Sequence, residues 1–346
     1  MSNSAVKMKW NECEAICNDM YRNNEWLTPY QSYHFLSIVK LGRKETNPFC
    51  TIGYKETNIV IYRDEIPVIL APLYVSEVKK RILLRGEFSI MAHLDFIYDV
   101  GVSNDDYKYL FDYLRKEYPG FVLCFDRISE KSKTYKAINE LFKGNDMEKS
   151  ICVSIPFYSG YEKWFKDLKK SFKQDIRSGY NRLRTDEKQY LFCFDNSHTI
   201  NKTVSKEILA LYSKRACEHS GIKPGLKSSI IQKYLMVTKK SNPFNLALEN
   251  DEKYIGGRIY IDGNMAAYCQ CILANDRRVI VPKLSIDLNY KRYNLGGLLI
   301  NEMIKNISEN IGLDTACQLD LSRGDERYKY DYGGIEHYNY EYTITL

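Results

Sequence analysis

Apolar positions along the chain recur with two periods, and the alternation between them divides it into elements. Residues 10–40 carry a helical pattern, and Leu27-Thr28-Pro29-Tyr30 reads as the cap and first turn of a second helix, since proline suits the first helical position. Residues 58–63 and 66–75 are β-rich runs joined by Asp64-Glu65, which predicts a hairpin with a short acidic turn. A strand over 90–98, a helix over 105–118 and, past Pro119-Gly120, a strand over 121–126 complete a βαβ-like unit.

The second half opens with a strand over 151–157. Phe165, Leu168, Phe172, Ile176 and Leu183 then recur at helical spacing, predicting one long amphipathic helix. Its polar face is basic, with nine Lys or Arg against five Asp or Glu over residues 161–190, a pattern that also suits an ordinary solvated face. A helix over 205–219 precedes apolar runs at 244–249, 255–262, 265–274 and 279–286, expected as an antiparallel meander. A loop at 289–297, a helix at 298–310 and a strand at 315–321 follow. Both halves thus run through a hairpin with an acidic turn (Asp64-Glu65; Asp251-Glu252), a strand, a helix, a glycine break (Gly120; Gly312) and a strand with a late aspartate (Asp126; Asp320). This echo suggests a diverged internal duplication.

At 346 residues the chain exceeds what one core usually supports, which favours two domains, divided as 1–150 and 151–346. No early apolar run suits a signal peptide and no segment approaches a membrane span, so a cytoplasmic protein is expected. Ten cysteines stand without CxxC pairs or ordered spacing with the five histidines; they read as reduced, packed thiols, Cys269 and Cys271 included, and no metal is expected. The net charge of +6 suits phosphate-bearing small ligands as readily as nucleic acid, and 29 tyrosines suit sugar stacking or surface packing alike.

The chemically informative segment is VPKLSIDLNYKRYNLGGLLI, residues 281–300: a β-rich run, a basic loop, two glycines and an amphipathic helix. Gly296 and Gly297 let the backbone approach an anion, the helix N-terminus supplies free N–H groups, and Lys291 and Arg292 add cationic donors. Ordinary loop chemistry also places paired glycines before a helix.

Strand, R-x-x-x-G-G and helix resemble the coenzyme A signature of the GNAT superfamily, although the glycine spacing departs from the usual Q/R-x-x-G-x-G/A. Residues 290–299 fit the looser form, a tyrosine and then glycine before an apolar helix, of the tandem-GNAT group that includes Fem-type transferases and cellulose-biosynthesis acetyltransferases. The run DLSRGDERYKYDYGG, with Asp320, Gly324, Asp325, Tyr328 and Lys329, is similar to that group's aspartate, glycine, acidic, YK ending. The resemblance implies an α+β fold: two GNAT-like domains in tandem, each a mixed, mostly antiparallel sheet flanked by helices. The first domain would be degenerate and contribute to an acceptor groove, since Ser103-Asn-Asp-Asp-Tyr107 stands where the glycines would be and its acids repel phosphate.

By the same resemblance the second domain binds acyl-coenzyme A, acetyl-coenzyme A first among them. The backbone of Leu284 and Ile286 would hold its pantetheine amides, and Arg292, Asn294, Leu295, Gly296, Gly297 and Leu298 its pyrophosphate. Tyr328, with Tyr330 as its rival, would protonate the departing thiolate, although both also suit packing in a Tyr-rich tail. No general base stands out, so Asp95 and His219 are candidates, while His93, Arg215 and Lys329 are candidates for acceptor binding. The expected reaction is N- or O-acylation of a sugar nucleotide or glycan precursor in the cell envelope. No nucleic acid or membrane span is expected, and a homodimer is compatible with the chain. Two alternatives stand beside it: Fem-type transfer from aminoacyl-tRNA to a peptidoglycan precursor, and a non-catalytic module that binds glycan or protein.

Overall fold

The computed structural model describes residues 2–346 apart from 23, 42–50, 88–92, 143–146, 197–199, 222–224, 226–228, 232 and 235–241. Its strands are β1 (Asn3–Met8), β2 (Lys55–Arg63), β3 (Ile66–Ser76), β4 (Arg81–Leu84), β5 (Ile97–Tyr98), β6 (Val122–Ser129), β7 (Met147–Pro156), β8 (Tyr190–Asp195), β9 (Tyr254–Ile261), β10 (Asn264–Leu273), β11 (Arg278–Ile286), β12 (Gln318–Arg323) and β13 (Ile335–Thr345). The α-helices are α1 (Glu14–Arg22), α2 (Tyr33–Ile38), α3 (Asn104–Glu117), α4 (Lys133–Leu141), α5 (Tyr161–Asp167), α6 (Lys170–Thr185), α7 (Lys202–His219), α8 (Pro243–Glu249), α9 (Leu295–Asn306) and α10 (Arg327–Asp331). Two compact units result: Met1–Cys152 with Ala274–Asp276 and His337–Leu346, and Val153–Leu273 with Arg277–Glu336.

In the first unit β1, β2, β3 and β4 pair antiparallel in turn, β4 pairs parallel with β6, and β13 closes antiparallel on β6. The β2–β3 hairpin turns at Asp64 and Glu65, whose φ angles of 48° and 68° match a tight turn with both central residues left-handed. Helix α3 begins with a closed cap: Ser103 Oγ accepts from Asp106 N–H while the Asp106 carboxylate accepts from Ser103 N–H at 2.8 Å and from Arg63 at 2.8 Å. The Asp106 N–H of its first turn is thus held by a hydroxyl, and the acids Asp105 and Asp106 stand at its start.

The second unit repeats the pattern. β8, β9, β10 and β11 pair antiparallel in turn, β11 pairs parallel with β12, and β7 borders β12. Its hairpin with two left-handed residues is Asp262-Gly263, between β9 and β10; Asp251-Glu252 instead links α8 to β9. The registers match in detail as well. Arg81 lies opposite Val122 and reaches Cys124 Sγ at 3.1 Å, while Arg278 lies opposite Gln318 and reaches Asp320 at 2.9 Å. In each unit an arginine in the first residue pair of the parallel strands bonds a side chain two residues along its partner, a stronger mark of duplication than the acidic turns.

Three predicted elements change. Residues 244–249 form helix α8, not a strand: Asn242 caps it, accepting from Phe244 N–H at 2.9 Å, Pro243 takes the first position, and Phe244, Ala247 and Leu248 share the buried face at helical spacing. The long basic helix breaks at Leu168, whose extended backbone (ψ 149°) separates α5 from α6. Only Ile97–Tyr98 of the strand predicted over 90–98 is extended, residues 90–92 lying outside the described segment.

The core of the second unit lies on one face of its sheet, where Ile255, Ile259, Cys269, Cys271 and Val279 meet Leu298, Leu299, Met303 and Ile304 of α9. Helix α7 covers the other face through Ile208 and Leu211 against Tyr268.

Candidate functional site

The site forms where β11 and β12 part. They are paired over three residues only, Arg278–Ile280 against Gln318–Asp320. Beyond Ile280, β11 runs on to Ile286 paired with β10 alone among the described strands, and the Ser322 hydroxyl on the Val281 carbonyl at 3.2 Å is the last link across the gap. A register shift between β10 and β11, between Gln270 and Ile272, falls at the same level. Asp287 N–H donates to the Ala266 carbonyl at 2.8 Å, toward β10. Because backbone groups alternate sides along a strand, those of Ile286 and Leu284 face the open edge.

What turns β12 aside is the segment after it. Asp320 is buried, paired with Arg278, and accepts from Ser322 N–H at 2.8 Å in a local turn that holds Ser322 at φ 56°. Lys329, 2% exposed, then gathers the carbonyls of Leu321, Ser322, Arg323 and Gly324 at 2.9–3.3 Å and pairs with Glu326 at 3.0 Å. Its ammonium is thus spent on curling residues 321–324. This places Lys329 in the architecture of the gap, in contrast to its expected role in holding acceptor.

Beside the gap stands the start of α9. The helix begins at Leu295, three residues earlier than the pattern suggested, so both glycines lie in its first turn. Asn294 precedes it in the left-handed region (φ 55°), its side chain caps no N–H, and the first helical bond is Leu298 N–H to the Asn294 carbonyl at 3.0 Å. The N–H groups of Leu295, Gly296 and Gly297 are left over. The two glycines differ: a Cβ on Gly297 would stand 2.5 Å from Asn294 Nδ2, whereas one on Gly296 would meet nothing within 4 Å. Gly296 borders open space beside uncapped donors, and Gly297 makes room for Asn294. The side chains of Leu295 and Leu298 are buried in the core, so only their backbone is available.

Helix α6 holds the loop before α9. Tyr293 donates to Asp186 at 2.7 Å, Arg292 pairs with the same carboxylate at 3.2 Å, and Arg182 donates to the Arg292 carbonyl at 2.6 Å. Arg292 stays largely exposed, and Lys291 is exposed.

The two candidate tyrosines separate. Tyr330 donates to Glu336 at 2.7 Å. Tyr328 is 43% exposed and stacks edge-on against Tyr332, and among the described residues its hydroxyl has no hydrogen-bond partner. Burial, then the Glu326 charge, pushes its pKa above the ordinary phenol value, so it stays protonated at neutral pH.

The remaining candidates lie elsewhere. In the first unit His93 is buried, with Nδ1 3.0 Å from Asn339 Oδ1 and its carbonyl accepting from Gln31 at 2.6 Å. Asp95 is buried there too, accepts from Ser132 Oγ at 2.5 Å, and burial pushes its pKa up to about 7. Both are interior groups of that unit, which accounts for them as structural residues. Arg215 pairs with Glu218 at 2.6 Å on α7, and His219 is the exposed last residue of that helix. Cys269 and Cys271 are core thiols, and no group of three metal-ligating side chains occurs among the described residues. The Arg278–Asp320 pair and Gln270 escaped sequence reasoning; a glutamine amid the apolar run of β10 is the signal that marked the latter.

Two units with one strand-pairing order, the second opening beside a crossover helix, define a tandem GNAT-like fold. The comparison with solved structures agrees: FemX matches with a TM-score of 0.63 at 10% identity, covering 99% of this chain and 97% of that one. L-PGS from Bacillus licheniformis matches at 0.55 with 10% identity, covering 95% and 90%, and a conserved protein of unknown function from Bacteroides thetaiotaomicron at 0.54 with 12% identity, covering all of both chains. No protein-family model matches the chain, and no curated protein matches it in sequence. No helix among the described residues is long and apolar enough to cross a membrane.

Proposed function

We propose that the protein is an acyl-coenzyme A-dependent transferase, with acetyl-coenzyme A the first candidate donor and the second unit its binding domain. One observation carries the reading: the unpaired edge of β11 opens beside the uncapped first turn of α9. An extended arm bearing amides adds to such an edge as an extra strand would, through the backbone of Leu284 and Ile286. A pyrophosphate at its end meets the N–H groups of Leu295, Gly296 and Gly297 and the positive end of the helix dipole, with Arg292 and Asn294 alongside. Tyr328, protonated and free, supplies the proton to the departing thiolate. In the first unit the equivalent helix start carries Asp105 and Asp106, charges that repel phosphate, so we assign the donor site to the second unit. The acceptor we assign is an amine or hydroxyl on a sugar nucleotide or glycan precursor.

The test is calorimetric titration with coenzyme A. Gly296→Asp puts a carboxylate into the open space without displacing a neighbour, and binding is expected to fall at least tenfold. Unchanged binding removes the phosphate site.

A second reading, Fem-type transfer from aminoacyl-tRNA, draws support from a basic surface on α5 and α6. There Lys163, Lys166, Lys173 and Arg177 line an open cavity of about 440 Å³ with Phe165 and Glu162, a combination of cations and an aromatic ring that suits a nucleic-acid backbone and base. Activity that survives removal of coenzyme A but is abolished by ribonuclease would establish this reading and exclude the first.

A further inference from the structure

Across the second unit's sheet, Asp195 of β8, Gly256 of β9, Gln270 of β10 and Lys283 of β11 stand directly opposite one another in register. They share a face. Cys269 and Cys271 enter the core under α9 while Tyr268 packs beneath α7, so alternation along β10 turns Gln270 toward the α7 side. Every member of this row is polar or lacks a side chain, and Asp195 pairs with Arg258 of the next row at 3.1 Å. Gln270 is 1% exposed, and neither its Oε1 nor its Nε2 has a hydrogen-bond partner among the described residues.

A buried carboxamide with both ends unsatisfied is costly, because each group loses water and gains nothing. Gly256 presents no side chain beside it, and the Tyr254 hydroxyl fills that position instead, where a Cβ would be 2.5 Å away. On the other flank Lys283 donates to Asn245 and lies 5.4 Å from the Phe244 ring centre, its ammonium drawn toward α8. Helix α7 lies over β10 and β11 and carries Ser213, fully buried, whose hydroxyl has no partner among the described residues. Gln270 also flanks the register shift at which β11 leaves β12.

We propose that Gln270 is the centre of an amide-recognising subsite at the inner end of the β11 gap. A carboxamide offers one acceptor and two donors, and an extended chain bearing two amides satisfies both atoms at once: the C=O of one amide accepts from Nε2 while the N–H of the next donates to Oε1, because the N–H and C=O of a single trans amide point opposite ways. A carboxylate would leave Oε1 unpaired, and an apolar group would leave both. The half-buried Lys283 marks the way in. Two sources of such a chain fit the position: the pantetheine arm of the donor proposed above, which carries two amides, or a peptide-like segment of the acceptor. Only the first source rests on the coenzyme A reading.

The test uses full-length ¹⁵N-labelled protein, with the Gln270 side-chain resonances identified by their loss in Gln270→Leu. Coenzyme A, adenosine 3′,5′-bisphosphate, which lacks the arm, and N-acetylglycinamide are titrated in turn into both proteins. The amide subsite predicts that coenzyme A or N-acetylglycinamide shifts the Gln270 resonances while the bisphosphate does not, and that Gln270→Leu weakens that ligand about tenfold. Coenzyme A alone responding assigns the pantetheine arm, and N-acetylglycinamide responding assigns the acceptor. The melting temperature of Gln270→Leu is expected to be unchanged or higher, since the apolar side chain leaves nothing unsatisfied. A clear fall in melting temperature, or equal binding of both amide ligands to both proteins, overturns the subsite and leaves a water-filled polar pocket. Because N-acetylglycinamide does not need the phosphate site, the subsite can fail or stand independently of Gly296.

Discussion

Single residues separate what is open from what is spent. Tyr328 and Tyr330 sit two positions apart in the same short helix, yet one hydroxyl is free and the other holds Glu336. Tyr328→Phe is accordingly expected to lower acetyl-coenzyme A turnover, followed by thiol release over a panel of amine acceptors, by about 10²-fold or more. Tyr330→Phe should change it by less than about threefold. Equal losses would assign the proton to neither. Lys329 has the opposite character: a family-like YK pair marked it as a ligand for substrate, but its ammonium is buried among four carbonyls. Lys329→Met strips those carbonyls of their donor, and urea unfolding should show a loss of about 3–5 kcal/mol, the scale for removing one member of a buried charged cluster.

At the scale of elements, the hydrophobic pattern located most strands and helices, and its failures share a cause. A six-residue apolar run such as FNLALE fits a strand or a helix equally, and the decision fell to the Asn-Pro pair ahead of it, which caps and starts α8. The break at Leu168 was invisible because the apolar spacing continues across it. Helix α9 started early because glycines were read as loop, whereas here they form the first turn over which Asn294 folds. Gly297→Ala should therefore act on this element: its Cβ meets the Asn294 side chain at 2.5 Å, and displacement of that residue is expected to cost about 1–3 kcal/mol in urea unfolding and to weaken coenzyme A binding. Gly296→Ala, with space around it, should cost little stability.

For the whole molecule, the repeated pairing order of the two units, down to Arg81–Cys124 and Arg278–Asp320, makes duplication the simplest account of its length. The copies then diverged at the helix that follows the short parallel strand, one closed by Ser103 and Asp106 and one open at Asn294. The buried Asp95 gives the first unit a pH signature. Its pKa is about 7 in the folded chain against roughly 3.9 when unfolded, so between these values the native state holds a proton that the unfolded state has lost. Stability contributed at Asp95 therefore falls as pH rises from about 4 to 7 and is level above, by an amount on the order of 4 kcal/mol. Asp95→Asn, neutral throughout, should be more stable than the parent at pH 8, with the gap closing toward pH 4.5. Parallel urea curves at every pH would contradict the shift.

The chain's own pattern determined the Asp64-Glu65 hairpin, the amphipathic helices and the glycine-marked helix start, because each depends on neighbours within a few residues. Tertiary structure alone decided that β11 parts from β12 after three pairs, that Lys329 is consumed in the turn that parts them, and that Gln270 is left without a partner. These outcomes depend on groups brought together from 5 to 42 positions apart, where burial and register, rather than local preference, set which hydrogen bonds are made.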